Sequence, residues 1–177
     1  MSIESSDISS IYQNIVNTGV VFSNRYEVII FSPPQLTSIG SRQLTLRCES
    51  ATLPGRSIST VPYRFYGPAR NMPYEPIYGS EISITFTLSA DLFERRFFEE
   101  WMGLVCSREN YKLKYYNEYT TSIQINVLDR TDSVVFSVQL EEAYPKLIGD
   151  ISMAYDRQDE VMKQDITLNY RKYSIIR

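Results

Sequence analysis

Between residues 82 and 106 the hydrophobic period changes once, and that change limits the chain to folds in which a helix covers a sheet. Ile82, Ile84, Phe86 and Leu88 alternate with Ser83, Thr85 and Thr87, the period-two pattern of a strand with one buried face. From Asp91 to Cys106 the apolar residues instead recur at helical spacing. Phe93, Phe97, Trp101 and Leu104 lie on one stripe, which Phe98, Met102 and Val105 widen. Asp91, with Glu94 three positions on, predicts a capping box. Arg95, Arg96, Glu99 and Glu100 form the solvent face. An aromatic stripe of this kind needs a sheet beneath it.

Strands are predicted at Tyr26–Phe31, Leu44–Cys48, Ser122–Leu128, Val134–Leu140 and Met162–Tyr173, with a short extended piece at Ile148–Ala154 after Pro145 and Gly149. Ser57–Phe65 is extended too, and Pro62 suits it to an edge or a bulge. Asp129-Arg-Thr-Asp132 supplies a hairpin turn. Ile8, Ile11, Tyr12, Ile15 and Val16 are spaced for an amphipathic helix or arm over residues 7–22, which Asp7 would cap and Gly19 would end. Strands joined by short turns argue for antiparallel pairing. The expectation is a mainly β fold, an antiparallel sandwich or barrel with one flanking helix. It would form one domain over 1–177, with an arm or short helix over 1–22.

The chain has no histidine, which removes Ser-His-Asp and Cys-His catalysis and the commonest transition-metal ligand. No P-loop or nucleophile-elbow motif is present. The pairs Glu99-Glu100, Glu141-Glu142 and Asp159-Glu160 are sequence neighbours, whose side chains diverge, so they read as solvated charge. Cys48 and Cys106, without metal spacing, read as reduced, largely buried thiols. No enzyme activity, metal or cofactor is expected. A net charge of −3 is wrong for tight binding of duplex DNA. No apolar run is long enough for a membrane-spanning helix. Tyrosine occurs 14 times, and the cations are mostly arginine. Both residues are enriched where proteins meet proteins.

The least ordinary stretch is 54–79. It holds Pro54, Gly55, Pro62, Tyr63, Arg64, Tyr66, Gly67, Pro68, Pro73, Tyr74, Pro76, Tyr78 and Gly79. Apart from residues 57–65, so many prolines and glycines argue against regular structure. A projecting hairpin or loop that docks on a neighbouring subunit accounts for its aromatic content; a loop folded back on its own core is the alternative. A second aromatic cluster, Tyr111–Tyr119, carries Lys112 and Lys114. Such a pattern could stack single-stranded bases, but Glu109 and Glu118 flank it, and a strand or edge pairing with another subunit is preferred.

Several segments, in order, resemble the tail tube proteins of contractile-tailed phages. They are Cys48-Glu-Ser-Ala-Thr-Leu-Pro-Gly55, Val61-Pro-Tyr63 with the proline-rich loop leading to Ser83–Thr87, and the Phe97–Trp101 helix core. Ala143-Tyr-Pro145, Ile148-Gly-Asp-Ile151, Asp159-Glu160 and the closing strand Asp165–Tyr170 complete the match, which runs over about residues 24–173. Gln164 stands where that family often has phenylalanine. The resemblance implies hexameric rings stacked into a hollow tube inside a contractile sheath, with sheets of neighbouring subunits joined in a lumen wall. It implies that the 54–79 loop reaches the adjacent ring, and that DNA only passes through. The implied partners are other copies of the chain, the tail sheath protein, and baseplate and tail terminator proteins. The implied location is the virion, after synthesis in the host cytoplasm. The same fold would also serve a baseplate or tail-end adaptor.

Overall fold

The computed structural model describes residues 13, 19–36, 41–156 and 160–177. Its strands are β1 (Tyr26–Ile30), β2 (Cys48–Ala51), β3 (Arg56–Tyr63), β4 (Arg70–Tyr78), β5 (Glu81–Thr87), β6 (Thr121–Leu128), β7 (Val134–Ile148), β8 (Lys163–Asn169) and β9 (Lys172–Ile175). The helices are α1 (Ser41–Arg47), α2 (Phe93–Val105) and the single turn α3 (Tyr116–Tyr119). Seven strands form one sheet in the order β1-β6-β7-β8-β5-β2, with β9 also on β7; every pair is antiparallel. β3 and β4 form a separate two-stranded ribbon. The fold is mainly β and antiparallel, as the alternation and the turns predict.

The sheet curls until its two end strands meet. The Tyr26 hydroxyl on β1 donates to the Cys48 carbonyl on β2 at 3.4 Å. Inside the curl lie Val28 and Ile30 of β1, Ile82, Ile84 and Phe86 of β5, Ile123 and Ile125 of β6, Val138 and Leu140 of β7, and Ile166 and Leu168 of β8. Each set keeps the two-residue period, so one face of every strand is removed from water. Helix α2 closes this core with Phe97, Phe98 and Trp101, all fully buried, while Phe93 packs at its margin. Phe97 meets Trp101 edge-on at 5.9 Å, and Phe98 meets Phe86 at 5.3 Å.

The capping residue of α2 is not Asp91. Ser89 donates both its backbone N–H (2.9 Å) and its hydroxyl (2.7 Å) to Glu94, and its Oγ accepts the Phe93 N–H at 3.3 Å. The reciprocal logic of a capping box holds, but with the serine two residues upstream, because Leu92 enters the left-handed region at φ 52° and reverses the chain before the helix. Glu94 is itself buried and meets Arg47 of α1 at 3.2 Å.

Other expectations are corrected. Leu44–Cys48 is not a strand: Leu44 is buried in α1, Leu46 is exposed, and extended pairing begins at Cys48. Val134–Leu140 is the first half of a longer strand, and Pro145 lies inside it, opposite Leu168. β7 changes partners along its length, pairing with β6 through Ala143 and with β8 from Tyr144. Glu142, at φ 55°, marks the corner. Met162–Tyr173 breaks in two at the same corner, so that β8 and β9 follow β7 one after the other. α1 and α3 add helical turns beyond the single flanking helix expected. The helix or arm expected over 7–22 falls largely outside the described residues.

Gln164, at the position where the resemblance leads one to expect phenylalanine, is buried and fully used. Its Nε2 donates to the Gly149 carbonyl at 2.6 Å and its Oε1 accepts from Arg95 at 3.0 Å. A Cβ on Gly149 would stand 3.0 Å from the Asp165 carbonyl oxygen, a tight contact that glycine avoids.

Candidate assembly surface

The β3–β4 ribbon is where the sequence and the geometry disagree most, and most usefully. Residues 70–78 are regular despite Pro73 and Pro76, because a two-stranded ribbon consists of edges and tolerates missing donors. The register runs from Arg56 opposite Tyr78 to Tyr63 opposite Arg70. It slips once, between Ser59 and Thr60. β3 alternates without interruption, so Ile58 lies on one face while Val61 and Tyr63, with Met72 beside them, lie on the other. Among the described residues nothing covers either face. Ile58, Val61, Tyr63, Met72, Tyr74 and Ile77 are all exposed. The tip is more open still, with Phe65 at 89% and Tyr66 at 96% relative exposure.

Of the residues predicted to make inter-subunit contacts, Pro54 and Gly55 lie at the base, with Pro54 half-buried. Pro62 and Tyr63 are in β3. Arg64, Tyr66, Gly67 and Pro68 form the tip. Tyr74, Pro76 and Tyr78 are in β4. The tip loop is held by the Arg64 Nε–H donating to the Gly67 carbonyl at 3.0 Å, with Gly67 at φ 86°. At the base the Gly79 N–H reaches the Gly55 carbonyl at 3.4 Å. There Tyr78 also meets Tyr173 edge-on at 5.7 Å, under the Arg56 guanidinium. Beneath this joint the buried Tyr170 hydroxyl has no hydrogen-bond partner among the described residues.

Charge on the ribbon is unlike charge elsewhere. Most arginines and lysines of the large sheet hold a carboxylate, as in Arg25–Asp132, Lys146–Glu81, Lys163–Glu49 and Lys172–Glu141. Among the described residues Arg56, Arg64 and Arg70 hold none. With Glu75 as the only acid, residues 54–79 are cationic within a chain of net charge −3. Sequence reading picked out the aromatics here and passed over Arg70; a charge count over the segment alone would have found it.

The Tyr111–Tyr119 cluster is not a strand. Residues 107–112 form a tight loop closed by the Cys106–Leu113 bridge, and it exposes Tyr111, Leu113 and Tyr115. Tyr116 and Tyr119 instead pack edge-on against Tyr144. Met153 and Tyr155 are two further exposed side chains without a sequence signal. Along the seam of the curled sheet, burial pushes the Cys48 thiol up to about 11 and the Tyr26 hydroxyl up to about 12, so both stay neutral. Both cysteines are free and half-buried. Among the described residues no cluster of side chains suits a metal ion, and no helix is long and apolar enough to cross a membrane.

No curated protein sequence matches the chain. Solved structures do resemble it in fold. A chain of the sheath-tube complex of an extracellular contractile injection system (PVC), in its extended state, superposes with a TM-score of 0.64 at 16% identity, over 92% of this chain and 95% of that one. A chain of the anti-feeding prophage tube-terminating cap gives 0.64 at 17% identity, over 99% and 98%. A chain from the anti-feeding prophage baseplate gives 0.63 at 13%, over 89% and 95%. The family model described as "Phage tail tube protein" matches residues 21–176, nearly the whole of the described sheet, ribbon and helix. The chain belongs to the phage tail tube protein family.

Proposed function

We propose that this chain is a non-catalytic, self-assembling subunit that forms stacked rings, hexameric by the family resemblance, around a conduit for DNA. We read residues 1–177 as one domain whose β3–β4 ribbon is completed by a neighbouring copy. The observation that carries this reading is the ribbon: two strands with apolar side chains on both faces and nothing among the described residues to cover them. A ribbon of two strands is marginal in water by itself, and exposed apolar area of this size marks a protein interface. The outer edge of β9, which among the described residues pairs only with β7, is the other unfinished surface, and ring closure would cover it.

In this reading the chain works in the virion after synthesis in the host cytoplasm. The tail sheath, baseplate and tail terminator proteins are its neighbours, and DNA touches it only in transit. A net acidic wall would repel a passing polyanion. A second reading, a single-ring adaptor at a tube end or in the baseplate, draws support from the equal likeness to the cap and baseplate chains. Electron microscopy and sedimentation of the purified protein test both. A repeating subunit gives rings and tubes that lengthen with concentration, and an adaptor stops at one ring. A protein that stays monomeric at every concentration would sink the assembly reading.

A further inference from the structure

The curled sheet is sealed at one end and open at the other. Near the start of β6, α2 closes the core, and Trp101 ties to the Tyr119 carbonyl just before that strand. Where β6 finishes, a hollow of about 380 Å³ opens instead. Ile125, a buried core residue, lines it together with Val127. Ala51 and Leu53 line it from the end of β2, and Val21 and Phe22 from the segment before β1. Leu53, Val21 and Phe22 are exposed, as is Val20 beside them. The polar groups around it are mostly engaged already. Thr52 donates to the Ser83 carbonyl, Tyr26 to the Cys48 carbonyl, and Arg25 pairs with Asp132. Apolar surface that runs from the core out to water in this way calls for an apolar cover.

We propose that residues 8–16 of the same chain seat in this hollow as an amphipathic helix and seal the open end of the core. The segment is tethered at the rim: only residues 17–20 separate Val16 from Val21, which lines the hollow. Gly19, at φ 75°, turns the backbone within that link. So short a tether holds the segment at high effective concentration. Ile8, Ile11, Tyr12 and Ile15 share one face at about 100° per residue. Gln13, described within this segment, is helical and exposed, and it falls on the opposite face. The hollow has the volume of roughly a dozen waters, about the bulk of three isoleucine side chains. Leu53 runs directly into Pro54 and Gly55, so the plug also steadies the strand that carries the ribbon. The proposal concerns the single subunit and stands apart from the assembly reading.

Cross-linking of the full chain, below the concentration of tube formation, tests it. Ile11→Cys with Leu53→Cys, in a C48S/C106S background, should close an intramolecular disulfide under mild oxidation. Its rate should be independent of protein concentration and about tenfold faster than that of Gln13→Cys with Leu53→Cys, because Gln13 lies on the far face of the helix. Removing residues 1–18 should open the hollow and raise the fluorescence of bound anilinonaphthalene sulfonate by about threefold or more. Should the shortened chain fail to fold, the cysteine pairs decide the matter alone. Equal rates from positions 11 and 13 mean a loose tether and overturn the plug. Links that form only between chains, and faster as concentration rises, give the hollow to the segment of a second copy and overturn it as well. Dye binding by the full chain as strong as by the shortened one leaves the hollow open to an apolar small molecule, and the proposal fails.

Discussion

Trp101 donates its indole N–H to the backbone carbonyl of Tyr119 at 2.7 Å, from a position with no solvent exposure. One side chain thus fills the core under α2 and anchors the turn α3 that carries the chain into β6. Replacing Trp101 with alanine should cost about 3–5 kcal/mol of unfolding free energy through the cavity left behind. Trp101→Phe should cost less, about 1–3 kcal/mol, mostly from the stranded carbonyl. Denaturant unfolding of the unassembled subunit measures both. Equal losses in the two variants would mean that the hydrogen bond lost in both outweighs the cavity left only by alanine.

The Ser89–Glu94–Arg47 cluster joins the start of α2 to α1. Ser89→Ala should destabilise by about 1 kcal/mol, the usual loss for a cap. Glu94→Ala should cost about 3 kcal/mol, because Ser89 then loses an acceptor and Arg47 its counter-ion. The same unfolding assay reads both, and the double variant should fall short of the sum, since the two residues share one bond.

Replacing residues 64–69 with Asn-Gly keeps Tyr63 opposite Arg70 and closes β3 and β4 through a tight turn. Subunit stability should stay within about 0.5 kcal/mol, because the removed residues are exposed. Tube yield should fall sharply. Tubes of ordinary length and amount, counted by electron microscopy, would remove the ribbon tip from assembly.

Cys48 should be slow to alkylate. At pH 8 a thiol pushed from 9.0 to about 11 is ionised roughly a hundredfold less than an ordinary one. Its rate in a C106S background should lag a free thiol by about two orders of magnitude. The raised value also sets a sign for stability. The neutral thiol's contribution is complete below pH 9 and is lost as the pH rises through about 11, so the unfolding midpoint should drop over that alkaline window and not on the acid side. The Tyr26 hydroxyl, pushed up to about 12, extends the same trend.

Tyr170→Phe should leave stability unchanged or raise it by up to about 1 kcal/mol, because it removes a buried hydroxyl without a partner. The same hydroxyl lies 3.2 Å from where a Cβ on Gly79 would stand. Gly79→Ala should therefore be better tolerated with Tyr170→Phe than alone, and a double-mutant cycle reports that coupling.

Much of the fold is legible where one period persists for six residues or more. β5, β6 and the α2 stripe are of this kind, since burial of one face leaves a long alternation only one solution. Leu44–Cys48 is too short to decide. Leu44 and Leu46 suit a strand as well as a turn of helix, and only Leu44 has core to enter. β7 reads shorter in sequence than it is, because Pro145 reads locally as a stop. The strand continues past it by turning a corner and taking a new partner, which depends on β8 arriving from far along the chain. The ribbon was legible as an anomaly of composition, but its regularity was hidden by prolines whose missing donors face open edges.

Fifteen consecutive residues of β7 are gripped in turn by β6, β9 and β8. Tension along that strand loads many rungs in parallel, whereas tension on the ribbon meets the Gly55–Gly79 hydrogen bond and the Tyr78–Tyr173 edge contact at its base. Under pulling, the sheet should hold its dimensions while the ribbon swings about that base.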